Sequence, residues 1–343
     1  MDGETYENMP PDIATWLEFV YTFSDQRKGG SIMLKERGFY KGVNLGGWMS
    51  QCDYSRERLD TFIVDKDFET IASWGLDHVR LPVDYDVAEL MDDGIERVRK
   101  AIDAAKGCGL NVMLDLHKAP GYSFDAGEQE SGFFDSAEYQ ERFYDIWERL
   151  AEEFGNDPQH VAFDLLNEIT DAGYLPAWKE ISAECIKRIR RYAPETIIVI
   201  GSYNYNDVRA VRDLDAPYDE YVAYSFHCYE PMDFTHQGAH WSPEIDQEKR
   251  VAFRDSGTSA ELFDGLFSSA AAKAKGHGTD LYCGEYGVID VASPEDALEW
   301  YKVIHDAFER FGVSRTAWSY REMDFGIADP RMDKVREELV RYL

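Results

Sequence analysis

Eight times along the chain a short apolar run is followed by a longer amphipathic one. Residues 39–45 read as a strand closing on Gly46-Gly47-Trp48, and 66–74 as the helix behind it. The pairing recurs at 77–81 with 95–106, 110–115 with 137–154, 161–165 with 175–192, and 196–200 with a short helix near 207–214. It continues at 221–225 with 262–275, 281–283 with 294–311, and 313–318 with 333–343. Stop signals fall where the helices should end, at Gly107 and Gly109 and at Gly155-Asn156. Strands alternating with helices form a parallel sheet, and eight such units imply a closed (β/α)8 barrel of the α/β class. At 343 residues and 44% hydrophobic content, one barrel with a full core accounts for the chain.

Two segments stand outside this pattern. Residues 1–37 read as an N-terminal helical extension. Within it Ile13, Trp16, Leu17, Val20 and Tyr21 recur at helical spacing over 11–23, and a Gly-rich break follows at 28–31. Residues 38–343 make the barrel. The one long connection, 230–258, follows the sixth strand. In a barrel such an insertion is expected on the catalytic face, shaping the cleft.

The charge excludes several partners. With 36 Lys and Arg against 66 Asp and Glu, the net charge of −30 argues against nucleic acid and anionic membrane, which need basic patches. It is compatible with a neutral ligand. Five scattered cysteines lack Cys-x-x-Cys spacing, so reduced core thiols are expected and no zinc site. The acidic N-terminus has no basic signal-peptide region, and no apolar run is long enough to span a membrane. The expectation is a cytoplasmic monomer, or a secreted one whose signal has been removed.

Chemistry in a barrel of this kind gathers at the C-terminal ends of the strands. Those positions are Asn44 and Trp48, Arg80, His117, Asn167 and Glu168, Ser202 to Asn206, His227 and Tyr229, Glu285, and Trp318. Two glutamates thus end buried strands, where a carboxylate is seldom left without a role. A pair of carboxyl groups across one mouth is what acid–base chemistry on a glycosidic bond requires.

The motifs Gly42-Val-Asn-Leu-Gly-Gly-Trp48, His78-Val-Arg-Leu-Pro82, Asp115-Leu-His117, Leu166-Asn-Glu168, Phe226-His-Cys-Tyr229, Gly284-Glu-Tyr-Gly287 and Ala317-Trp318 stand in order from about residue 38 onward. Together they resemble glycoside hydrolase family 5, retaining β-glycanases on a (β/α)8 barrel. Phe234-Thr-His-Gln-Gly-Ala-His-Trp241 and Trp318-Ser-Tyr-Arg-Glu-Met-Asp-Phe325 are similar to its clostridial cellulase C subgroup. One departure is Ile169, where many members have proline.

The resemblance implies Glu168 as general acid/base and Glu285 as nucleophile, with no cofactor and no metal. It further implies substrate contacts from Arg80, His117, Asn167, His227, Tyr229 and Trp318. Arg80 is expected to favour the ionised form of Glu285 and Tyr229 to donate to it. The negative charge of Glu285 should raise Glu168. Asn167 would meet the sugar 2-hydroxyl, and the Trp318 indole would cover the apolar face of a β-linked glucose. Lys118 is expected to point away from the mouth. The substrate so implied is β-1,4-glucan or its soluble cello-oligosaccharides, cut by an endo-acting enzyme, with mixed-linkage β-glucan as a second substrate. A β-mannanase and an exo-acting β-glucosidase are the nearest alternatives.

Other barrel classes fit the residues less well. A metal-dependent hydrolase needs a ligand cluster, and Asp115-Leu-His117 has no companions in the sequence. A phosphate-binding isomerase wants glycine-rich turns after the last two strands, which Gly284-Glu-Tyr-Gly287 and Trp318-Ser-Tyr-Arg lack. A non-catalytic carbohydrate-binding barrel would keep Trp318 and lose a carboxylate, yet both remain.

Overall fold

Strands β1 (Lys41–Asn44) and β8 (Ser314–Ala317) pair in parallel, with Val43 opposite Ala317, and that pairing closes the sheet. Between them run β2 (His78–Asp84), β3 (Asn111–Lys118), β4 (Val161–Asp164), β5 (Ile198–Ile200), β6 (Val222–His227) and β7 (Leu281–Glu285). Each strand neighbours the next in sequence, giving a closed parallel barrel in the order β1 to β8. This is the (β/α)8 barrel expected. The computed structural model describes residues 34–125, 127, 130–242 and 245–343; the helix predicted over 11–23 lies outside them.

The outer helices follow from amphipathic spacing and capped ends. In the helix Ala137–Phe154 the residues Phe143, Ile146, Trp147, Leu150 and Phe154 form one buried stripe against the sheet. Ser136 caps its start by accepting from the Tyr139 N–H. The helix Pro294–Phe311 has Ser293 as its cap and proline in its first turn, and it ends on Gly312 at φ 66°. Burying each such large apolar side chain stabilises the fold by about 1.5–3 kcal/mol. The last predicted helix, 333–343, is instead one short turn, Arg336–Leu339, between 3-10 turns. The one near 207–214 is a 3-10 turn, Val208–Asp213.

The interior is layered. Met113, Ala162, Val199, Ala223 and Tyr282 form an apolar floor with Leu34 and Phe39 beneath the strands. Two residues further along the strands the inward positions become polar: Asn44, Arg80, Asp115, Asp164 and Ser225, all fully buried. The apolar floor carries stability, and the polar layer above it supports the mouth. At the mouth two pairings slip. Opposite Val83–Asp84, His117 is the extra residue, and opposite Phe226–His227, Gly284 is. Such bulges re-aim side chains at a barrel rim.

The 230–258 connection packs around Phe234, which is fully buried and meets Phe253 with ring centroids 6.3 Å apart. Gln237 ties its two ends together, donating to the carbonyls of Phe234 and Val251 and accepting from the Val251 N–H.

Candidate active site

Arg80 is the hub. Its guanidinium is wholly buried, and it donates to Asp164 Oδ2 at 3.0 Å, Asn44 Oδ1 at 3.1 Å, Glu285 Oε1 at 3.0 Å and Asn167 Oδ1 at 2.9 Å. A further contact of 3.1 Å reaches Asp115 Oδ1. One cation therefore faces three buried carboxyl groups. Burial pushes both Asp115 and Asp164 up to about 7, with Arg80 holding them down.

Glu285 sits between two donors. Arg80 takes Oε1, and the Tyr229 hydroxyl donates to Oε2 at 2.8 Å. Burial raises its pKa above the ordinary glutamate range, and Arg80, His117 and the Tyr229 hydrogen bond pull it back. The arginine thus acts in the direction expected from the sequence, but desolvation of a nearly inaccessible carboxyl outweighs it. Glu168 is raised well above its ordinary value, first by burial and then by the Glu285 charge. Burial and the neighbouring charge thus both favour the protonated form of Glu168. Tyr229 stays protonated, because burial and then the charges of both glutamates hold it well above its usual range.

The two carboxyl groups are close. One oxygen of each and a ring nitrogen of His227 all lie within 4.8 Å of one another. His227 Nδ1 is 2.7 Å from Glu168 Oε1 and 3.6 Å from Glu285 Oε2. Burial, with Arg80 and His117 adding to it, keeps the imidazole well below its ordinary value, so it is neutral. Gly284 makes this geometry possible, since a Cβ there would stand 2.9 Å from His227 Nε2. Among the described residues this trio is the one group of His and carboxylate atoms close enough to hold a metal ion.

The remaining predicted residues line the same mouth. His117 sets Nδ1 2.7 Å from Asp115 Oδ2, and its ring lies parallel to Trp318 with centroids 5.8 Å apart. Asn167 accepts from Arg80 through its side-chain carbonyl oxygen, while its buried amide nitrogen has no hydrogen-bond partner among the described residues. Lys118 pairs with Asp86 at 2.8 Å, away from the glutamates. Trp48 does not reach the mouth; its indole N–H donates to Leu59 O and its ring packs on Phe68. Phe234 packs the insertion, His236 lies against Tyr229 and Phe325, and Trp241 is 44% exposed.

Two residues at the mouth have no counterpart in the sequence reading. Gln51 places Oε1 3.2 Å from His117 Nε2, and its backbone N–H donates to Asp84 Oδ2 at 2.9 Å. Asp84 also accepts from the Tyr54 hydroxyl at 2.7 Å. Gln51 adopts φ 50°, a left-handed conformation that no periodic pattern announces. Only its place just past the Gly-Gly-Trp turn hinted at it.

The sequence profile of the Cellulase family (glycosyl hydrolase family 5) matches residues 40–324. Cellodextrinase A of Ruminococcus flavefaciens is 54% identical over 288 residues, covering 82% of this chain and 86% of that protein. Endoglucanase C of Acetivibrio thermocellus is 34% identical over 337 residues, covering 89% and 98%. Among solved structures, an endoglucanase superposes with a TM-score of 0.76 at 25% identity, covering 89% of this chain and 98% of that one. A mouth built of paired carboxyl groups, and a match that spans all eight strands, lead to one assignment: the chain is a glycoside hydrolase and belongs to family 5, the cellulase family.

Proposed function

We propose that the chain cleaves internal β-1,4-glucosidic bonds in soluble β-glucans and cello-oligosaccharides by a retaining double displacement. The observation that carries the mechanism is the approach of Glu168 and Glu285, with oxygens within 4.8 Å. Retaining enzymes hold their carboxyl groups roughly 5–5.5 Å apart, whereas inverting ones leave about 6.5–9.5 Å for a water. The names of the relatives, a cellodextrinase and an endoglucanase, support the choice of substrate.

In the first step Glu168 gives its proton to the glycosidic oxygen while Glu285 attacks the anomeric carbon, and the leaving sugar departs as an alcohol. The resulting ester removes the charge of Glu285, so Glu168, now ionised, loses the neighbour that raised it. Glu168 then takes a proton from water, the oxygen of that water attacks the same carbon, and Glu285 is released.

Around this pair, Arg80 and Tyr229 hold Glu285 by separate oxygens. His227 positions Glu168. The free amide nitrogen of Asn167 meets the sugar 2-hydroxyl, a contact that strengthens toward the transition state. Trp318 carries the sugar face, with His117 beside it offering a polar edge.

The test is a time course on cellohexaose beside mannohexaose, with Glu285→Gln as control. Mixed short cello-oligosaccharides from the first time point, none from the control, and an adduct of a 2-fluoro cellobioside on Glu285 by mass spectrometry are the expected results. Cleavage of mannohexaose alone would move the substrate to mannan. An adduct on another residue would overturn the assignment of the nucleophile.

A further inference from the structure

A buried seam runs along one side of the mouth, from the connection after β6 to the β1 loop. Ala239 of that connection, Ile289 after β7 and Phe325 after β8 bury together with Trp318, and Met323 packs on the cluster. Met323 in turn lies against the β1 turn: a Cβ on Gly47 would stand 2.5 Å from its Sδ, and one on Gly46 2.6 Å from the Trp318 ring. Arg58 locks the seam. Its Nε donates to Gly47 O at 2.7 Å and its Nη1 to Glu322 Oε2 at 3.0 Å.

The backbone here is held in an unusual shape. Glu322, Met323 and Asp324 have φ of 52°, 53° and 60°, three left-handed residues in succession. Each costs roughly 1–2 kcal/mol for an L-residue, so the surrounding contacts must fix them. They do so on both flanks. Asp290 N–H donates to Asp324 O at 2.6 Å, and Arg321 donates to Phe62 O at 2.9 Å.

The position of the seam gives it a meaning. A general acid must stand on the side of the departing sugar, and Glu168 follows β4. Trp318 follows β8, across the eight-strand ring from β4. The seam behind Trp318 therefore lies on the side of the glycone, the part of the substrate that carries the non-reducing end.

We propose that the Met323–Gly47 contact and the Arg58–Glu322 pair bound the glycone end of the cleft. Among the internal bonds of a cello-oligosaccharide, those nearest the non-reducing end are then the ones cut, leaving a short glycone. This rests on the β-1,4-glucan reading above and adds to it the residues that set product length.

The experiment follows cellohexaose labelled with 18O at its reducing end, by mass spectrometry, in the wild type and in Arg58→Ala/Met323→Ala. Hydrolysis of an aryl β-cellobioside, which has no long glycone, runs alongside. In the wild type, unlabelled products of two glucose units should exceed longer unlabelled ones by on the order of tenfold. In the double variant that bias should fall, with the aryl substrate hydrolysed as before. Glu322→Ala, which removes only the exposed partner of the ion pair, replaces the double variant if that one does not fold. Evenly distributed cuts in the wild type, or an unchanged pattern in the folded variant, would overturn the proposal. Inactivity of the wild type on both substrates would instead sink the β-1,4-glucan reading, and this proposal with it.

Discussion

Tyr229 donates to Glu285 through the oxygen that Arg80 leaves free, at 2.8 Å on Oε2 against 3.0 Å on Oε1. Both contacts favour the carboxylate, and both oppose the burial that raises it.

Tyr229→Phe should therefore move Glu285 further up. The acid limb of the kcat/KM profile, which reports the free nucleophile, shifts to higher pH. The rate should fall by about 10–100-fold, the worth of one hydrogen bond to a charged group. A pH profile on an aryl β-cellobioside reads both effects. An acid limb left in place would mean that Arg80 alone sets the ionisation of Glu285.

Glu168 carries a stability cost that has a definite pH dependence. Its native value lies well above the ordinary glutamate range, so between the two values the unfolded chain has released a proton that the native state retains. Stability contributed by this site must fall as pH rises through that window, and the effect vanishes below the unfolded value of about 4.3. Glu168→Gln should accordingly raise Tm at pH 7 and leave it nearly unchanged at pH 4, while activity drops by about 10²–10⁴-fold. Calorimetry at the two pH values decides it; an equal gain at both would show that proton linkage is not the cause.

The parallel barrel was legible in the sequence because each strand is buried on both faces, leaving β-branched and apolar runs such as 196–200 that differ plainly from the helices between them. Glu168 and Glu285 were legible because a carboxylate at the end of a buried strand stands out. Distances across the ring were not. Whether Arg80 faces one acid or three depends on Asp115 and Asp164, whose inward aim follows from strand register and not from any local pattern. Gln51 and the Glu322–Asp324 turn were hidden for a different reason. Their left-handed backbones involve residues other than glycine, so nothing in the residue types marks them.

Asn167 allows a sharper test than loss of activity. Its carbonyl oxygen is fixed by Arg80 at 2.9 Å, so its orphan amide nitrogen is aimed without freedom to turn. Asn167→Asp keeps the acceptor for Arg80 and removes the donor. The wild type should discriminate against a 2-deoxy substrate by on the order of 10–100-fold, and the variant should lose most of that preference. A variant that still discriminates as strongly would place the 2-hydroxyl contact on another residue.

Gln51→Ala separates support of His117 from support of the fold. The side chain touches His117 at 3.2 Å and is only partly buried, so its removal should leave Tm within about 1 kcal/mol equivalent of the wild type. The expected loss is in kcat/KM, by about tenfold, through a looser imidazole beside Trp318. Steady-state kinetics with a thermal melt reads both, and normal kinetics would remove Gln51 from the site.

Arg80 is where the fold and the site meet. It is fully buried and holds Asp115, Asp164 and Glu285 within 3.1 Å, so replacing it with Met leaves three buried carboxyl groups without a counter-charge. Breaking a buried pair in this way costs about 3–5 kcal/mol. The cost should depend on pH. Asp115 and Asp164 already titrate near 7 with the arginine present, and without it their values rise further, since the opposing charge is gone. At pH 5 both are then neutral and need no cation, whereas at pH 8 the native state must either keep protons that the unfolded chain gives up or bury bare charge. The destabilisation by Arg80→Met, measured by urea unfolding, should therefore be larger at pH 8 than at pH 5. Equal losses at the two pH values would mean that the guanidinium matters for the volume it fills and the hydrogen bonds it makes to Asn44 and Asn167, and not for its charge.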